Sequence, residues 1–392
     1  ISETLKFQMP KLVQASHLII KTLSAVSLPV YPTAATTRIF VANHLIMCSV
    51  TSGKIDERHV ASRFFQKQHQ VVLPDSSSMD TDSGFSRQYL HCGYSSGLDD
   101  ATRLAESPVF VFIHGGGFTS MSWAKAAKCC FTAGLPVLVV DLFGHGSSCY
   151  AHGAGVEEDF SIKRYKKDMV EIINTILSKD HLGLEEAPRI VLVGHSMGGA
   201  VATHVAAVDP DQLCCTVCGL VVVDVVEGTA IEALAGMEGV LERMPVDFGS
   251  EEEAIMWIIG TYMRQPTVDS GKFSVPSMLS INERTKRYEW RTNLRKTIPY
   301  WREWYEGMSA LFLGSSIKKM LVVAGMDRLD TPLTIGHMQG KFQYVNLPTF
   351  GHLVHEEDPE LFSRLLVEFA VKHGLKKSSM DAVRAKLSVA WK

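Results

Sequence analysis

The segment RIVLVGHSMGGAVATHVAAV, residues 189–208, constrains the fold of this chain more than any other. A run of apolar, mostly β-branched residues leads into Gly194-His195-Ser196-Met197-Gly198, and an alanine- and valine-rich stretch follows. The first part reads as a buried strand and the last as a helix, so the G-x-S-x-G pentapeptide falls in the turn between them. The glycines have a steric reason. A serine lifted onto a tight, strained turn needs neighbours without side chains two residues to either side. Such a turn sets the Ser196 hydroxyl above the sheet, at the positive end of the following helix, as a candidate nucleophile. A serine hydroxyl is barely nucleophilic at neutral pH, so it needs a base.

Other apolar runs share this grammar. VFVFI at 109–113 ends at His114-Gly115-Gly116-Gly117, and LPVLVVD at 135–141 ends at GHG. Residues 220–224, 319–324 and 342–347 read as further strands, and QYLHCGY at 88–94 is compatible with one. Helical patterns occupy about 162–178, 197–208 and 359–372. Strands buried on both faces and separated by helices imply an α/β fold, with a mostly parallel sheet between two helical layers. The chemistry of such sheets gathers at the carboxyl ends of the strands, where each polar motif lies. Between about 228 and 316 the alternation stops, and the chain reads as a helical lid insertion rich in charged and aromatic residues. The Ser-, Asp- and Gly-rich stretch PDSSSMDTDSGFS marks an approach to the domain. The expected division is an extension at 1–80, a domain at 81–375 and a tail at 376–392.

Composition bounds the rest. The 392 residues are 46% apolar and 21% charged, enough for one large α/β domain with elaborations. A net charge of -3 gives no reason to expect nucleic-acid binding. No apolar run reaches the roughly 18 residues of a membrane span. The eight cysteines do not form a disulfide-like pattern, and Cys215-x-x-Cys218 has no second pair to complete a zinc site. A reducing compartment is the natural reading. From Thr4 to Ile55 there is no Asp or Glu, which resembles an organelle transit segment, although basic residues are sparse.

His352, in FGHLVHEEDPE, is the expected base, because a Ser–acid–His order puts the base last, between the final strand and helix. His355 is the competitor and reads as structural, while Glu356-Glu357-Asp358 reads as an acidic cluster favoured by a helix dipole. His114 is expected to support the glycine turn, with His145 and His195 in loops beside the site. The HGGG loop sits where lipases and esterases keep an oxyanion loop. The expected donors are the amides of Met197 and Gly116, with Gly117 as neighbour. Two carboxylates compete as the acid. Asp327, with Asp330 nearby, follows the strand after the lid and is the usual α/β-hydrolase choice; Asp224 ends the strand after the nucleophile helix. Spacing leaves both open. No G-x-G-x-x-G or Walker pattern appears in a suitable context, so no nucleotide cofactor is expected.

Together with HGGGFTSMSWA and GHSMGGAVATH, the segments VVDVVEGTAIEAL, YEWRTNLRKTIPYWREWYEGMSALFL, AGMDRLDTPLTIGHMQGKFQ and LPTFGHLVHEEDP carry a narrower likeness. Over about 109–372 the chain resembles the protein phosphatase methylesterase family. The resemblance implies an α/β-hydrolase fold. It also implies serine-esterase removal of a carboxyl-terminal methyl ester from the protein phosphatase 2A catalytic subunit, with no metal or organic cofactor. It implies a triad of Ser196, Asp224 and His352, reversing the generic choice of Asp327. Asp327, Arg328 and Gly117 then become substrate-binding candidates. Trp290, Trp301 and Trp304 of the lid are expected to pack in the core rather than touch the substrate tail. The family is thought to align its triad when the phosphatase docks, so a loose Asp224–His352 contact is expected in the free chain. The other readings are a small-molecule carboxylesterase or lipase, and a binding module that captures the phosphatase. The resemblance implies a cytoplasmic or nuclear location, while the amino-terminal segment points to an organelle.

Overall fold

The computed structural model describes residues 61–74, 88–150, 159–325 and 329–377. Nine of the strands among them form one sheet: β1 (Lys67–Pro74), β2 (Gln88–Ser96), β3 (Val109–Ile113), β4 (Val137–Val140), β5 (Cys149–Tyr150), β6 (Arg189–His195), β7 (Thr216–Val223), β11 (Lys318–Ala324) and β12 (Gln343–Leu347). Its order is β1-β2-β4-β3-β6-β7-β11-β12, with β5 paired to β2. The pairings from β4 through β12 are parallel, while β1–β2 and β2–β4 are antiparallel. This is a mostly parallel α/β-hydrolase sheet. It begins earlier than the expected boundary at 81. In β1, buried His69, Val71 and Leu73 alternate with outward residues, and that short, half-polar alternation is a weak signal in isolation.

The central strand shows how the two layers are joined. All five residues of β3 are buried. Val109, Val111 and Ile113 pack on one face with α2 (Ile162–Ile176) and α3 (Met197–Ala206). Phe110 and Phe112 pack on the other with α1 (Ala124–Thr132) and α10 (Pro359–Lys372). That is the two-residue period of a strand with a core on each side. Each such side chain contributes about 1.5–3 kcal/mol of burial. In α2, Tyr165, Met169, Ile172, Ile173 and Ile176 recur at helical spacing and are buried, and Ser161 caps the start by accepting from the Arg164 amide at 3.1 Å.

Between β7 and β11 lie α4 (Glu227–Arg243), α5 (Glu251–Tyr262), α6 (Val268–Ser274) and α7 (Met308–Gly314). The insertion is not purely helical. β8 (Asp247–Phe248), β9 (Leu279–Ile281) and β10 (Tyr288–Trp290) form a small sheet in the order β8-β10-β9. Strands of two and three residues are too short to leave a periodic signature. Trp304 and Trp301 are buried, donating to Phe160 O at 2.8 Å and Thr297 Oγ1 at 2.7 Å. After β11 come α8 (Thr331–Met338) and, beyond β12, α9 (Val354–Glu357). No helix among the described residues is long and apolar enough to cross a membrane.

Candidate active site

Ser196 occupies the turn between β6 and α3 with φ 54 and ψ -123, a conformation that costs a non-glycine residue energy. The surroundings enforce it. A Cβ on Gly194 would lie 2.0 Å from Gly198 O, and one on Gly198 would lie 2.3 Å from Ile113 O. The Ser196 amide donates to Val223 O at 2.8 Å, tying the turn to the end of β7.

Asp224 is the next residue along that strand and also has positive φ, at 51. Its amide donates to Val322 O at 2.7 Å, and its Oδ1 accepts from the Ala324 amide at 2.7 Å. Both partners belong to β11, so the 7–11 pairing aims the carboxylate. Its Oδ2 lies 2.8 Å from His352 Nδ1. His352 Nε2 in turn lies 3.1 Å from Ser196 Oγ. With the carboxylate accepting from Nδ1–H, Nε2 presents a lone pair to the serine hydroxyl. All three residues are buried. The loose Asp224–His352 contact expected for the free chain is therefore not found: both ends of the imidazole are engaged.

Asp327 and Arg328 lie outside the described residues. Asp330 is engaged elsewhere. Its Oδ1 caps α8 by accepting from the Leu333 amide at 2.9 Å, and its Oδ2 accepts from Ser309 Oγ at 2.6 Å. Met197 opens α3 and is fully buried. Gly116 lies in the loop after β3. Neither of these amides donates to a protein acceptor among the described residues. The Gly117 amide is taken, donating to His145 Nε2 at 3.1 Å.

Neutral histidines surround Ser196, Asp224 and His352. The Leu142 amide donates to His114 Nε2 at 2.9 Å, so Nδ1 carries the proton and donates to Gly115 O at 2.6 Å. Burial pushes the His114 pKa down to about 4. Burial, and next the nearby His114, push His145 down to about 3. His195 donates from Nε2 to the carbonyl of His352 at 2.8 Å, and burial holds its pKa well below the ordinary value. His355 stacks on Trp123 at 3.9 Å between ring centroids, a core position with no contact to Ser196, and burial pushes it down to about 3.

The acidic run after it divides. Asp358 alone caps α10, accepting from the Leu361 amide at 2.8 Å. Glu356 and Glu357 point inward and are buried. Burial raises the Glu356 pKa to about 8, and its Oε2 accepts from Ser274 Oγ at 2.6 Å. Glu357 and the Tyr262 carbonyl, which accepts from the His352 amide at 2.8 Å, are contacts to the base loop that no sequence pattern announced.

The lid sits on the glycine loop after β3. Gly116, Gly117 and Phe118 face Ile258, Tyr262, Met278 and Trp290 across a narrow cavity. The space open to the centre of a water there is about 20 Å³, roughly one water's worth. Trp290 is half-buried and packs against the core beside Phe248 and Trp257, as expected, and it also lines this cavity. A roomier groove of about 660 Å³ lies elsewhere, along Val205–Val208, Cys214–Val217 and Gly314–Ile317, and contains no triad residue.

Residues 110–365 match the model of the Alpha/beta hydrolase family. The chain is 40% identical over 281 residues to the probable protein phosphatase methylesterase 1 of Caenorhabditis elegans, covering 71% of this chain and 73% of that protein. It is 32% identical over 358 residues to protein phosphatase methylesterase 1 of Mus musculus, covering 80% and 84%. Among solved structures, E-2-(acetamidomethylene)succinate hydrolase superposes with a TM-score of 0.56 at 17% identity, covering 77% of this chain and 99% of that one, a likeness of fold. With a serine esterase's geometry at the carboxyl edge of an α/β-hydrolase sheet, and with these relatives, the chain belongs to the protein phosphatase methylesterase family and is a carboxylic ester hydrolase.

Proposed function

We propose that this protein removes the carboxyl-terminal methyl ester of the protein phosphatase 2A catalytic subunit, with Ser196 as nucleophile, His352 as base and Asp224 as acid. The observation that carries the reading is the unbroken hydrogen-bond chain from Asp224 Oδ2 through His352 to Ser196 Oγ, in a chain whose relatives are named phosphatase methylesterases.

Ser196 Oγ attacks the ester carbonyl carbon while His352 Nε2 takes its proton. The imidazolium is stabilised by Asp224. The amides of Met197 and Gly116 hold the oxyanion. The tetrahedral adduct collapses, the carbon–methoxy bond breaks, and His352 returns the proton to release methanol. Water, deprotonated by His352, then attacks the acyl-enzyme and frees the carboxylate and Ser196. Every proton moves through His352 Nε2.

The test is turnover of carboxymethylated phosphatase 2A catalytic subunit beside a generic aryl ester. The expected result is strong preference for the phosphatase ester, abolished in Ser196→Ala while phosphatase capture persists. Turnover surviving Ser196→Ala removes the nucleophile. Fast aryl ester cleavage with no action on the phosphatase makes the protein a small-molecule carboxylesterase. Phosphatase capture without turnover of either ester makes it a binding module.

A further inference from the structure

The loop that carries the base has few local constraints of its own. Residues 348–353 form neither helix nor strand, yet His352 must hold its ring between Asp224 and Ser196. Something outside the loop has to fix it, and the buried carboxylate of Glu357 is placed to do so.

Glu357 Oε1 accepts from the Gly351 amide at 2.6 Å, one residue before the base. Oε2 accepts from the amides of Gln265 at 2.7 Å and Arg264 at 3.1 Å, in the lid segment that follows α5. One carboxylate thus collects three backbone donors from two distant parts of the chain. The same lid segment meets the base loop directly. The Tyr262 carbonyl accepts from the His352 amide at 2.8 Å, and Arg264 Nη1 donates to Pro348 O at 2.9 Å. The approach is so close that a Cβ on Gly351 would sit 2.4 Å from Tyr262 O and 2.8 Å from Glu357 Oε1. All three of these hydrogen bonds are part-buried and converge on one carboxylate, so removing it loosens both segments together.

We propose that Glu357 is a positioning residue for His352, clamping the base loop to the lid segment 262–265 so that the imidazole stays in register with Ser196 and Asp224. It touches neither substrate nor the reacting atoms. The inference rests on the triad assigned above. A small displacement of a base from its hydrogen-bonding position costs rate with little effect on ground-state binding.

The experiment compares Glu357→Gln and Glu357→Asp with wild type on an aryl ester, with thermal melting to establish folding. An amide cannot satisfy three N–H donors, because its NH2 faces one of them. In Glu357→Gln, kcat is expected to fall about 10- to 100-fold with KM within about 2-fold. Glu357→Asp keeps the charge on a shorter arm and should recover part of kcat. Unchanged kcat, or a loss confined to KM, overturns the proposal. So does failure of both variants to fold, which would make Glu357 a residue of the fold alone. Ser196→Ala run alongside separates the two layers: turnover surviving it removes the triad reading, whereas an active Glu357→Gln beside a dead Ser196→Ala removes only this inference.

Discussion

At the scale of the residue, Asp224 is a carboxylate in an apolar neighbourhood, and its surroundings explain why that is tolerable. One oxygen accepts from the Ala324 amide and the other from His352 Nδ1, so the buried group is hydrogen-bonded on both sides. Asp224→Asn should lower kcat on an aryl ester about 10³- to 10⁴-fold. The asparagine amide would donate to Nδ1 and force the imidazole proton onto Nε2, where it would face Ser196 in place of a lone pair. Asp330→Asn is the contrast. It weakens the acceptor of the α8 cap and of Ser309, so melting should show a loss of up to about 1 kcal/mol with kcat little changed. If Asp327→Asn abolished turnover while Asp224→Asn did not, the acid would have to be reassigned.

At the scale of the element, the β6–turn–α3 unit is held by close packing rather than by propensity. Gly198 lies directly under the end of β3, and Gly198→Ala should cost about 3 kcal/mol or more through the clash with Ile113 O, read as a fall in melting temperature. A second element-level contact connects the lid's first helix to the helix that ends the insertion. Glu227 accepts from the amides of Gly307 at 2.8 Å and Ser309 at 2.7 Å, at the start of α7. Glu227→Ala should cost about 1 kcal/mol in the same measurement, the usual value of a lost cap. Strands and helices of the sheet were legible because their burial is written locally: VFVFI and RIVLV are apolar on both faces, and α2 repeats its apolar residues at helical spacing. The small β8-β10-β9 sheet and β1 were not, because pairs of short strands are stabilised by partners distant in sequence.

At the scale of the whole molecule, burial of titratable groups sets the response to pH. His114, His145, His195 and His355 all have depressed pKa values, to about 4 for His114 and about 3 for His145 and His355. In the unfolded chain they bind protons from about pH 6.5 downward. Their contribution to stability is therefore present above 6.5 and lost as pH falls toward the folded values. Glu356 acts in the opposite sense. Its pKa rises from 4.5 to about 8, so its contribution is complete below 4.5 and lost as pH climbs through 8. Burial also lowers His69 to about 4, so melting temperature should fall steeply on the acid side, where these histidines act together, and more gently on the alkaline side. Glu356→Gln should flatten the alkaline slope and leave the acid slope in place. What the sequence determined by itself was the alternation of strand and helix, the serine turn, and the histidine before the last helix. Each of these rests on neighbours within a few residues. The tertiary structure decided which carboxylate faces His352, that the Gly117 amide is spent on His145, and that Glu357 faces the base loop instead of solvent. These outcomes depend on strand pairing and on lid packing, and residues far apart in the chain meet only once the sheet has closed around them.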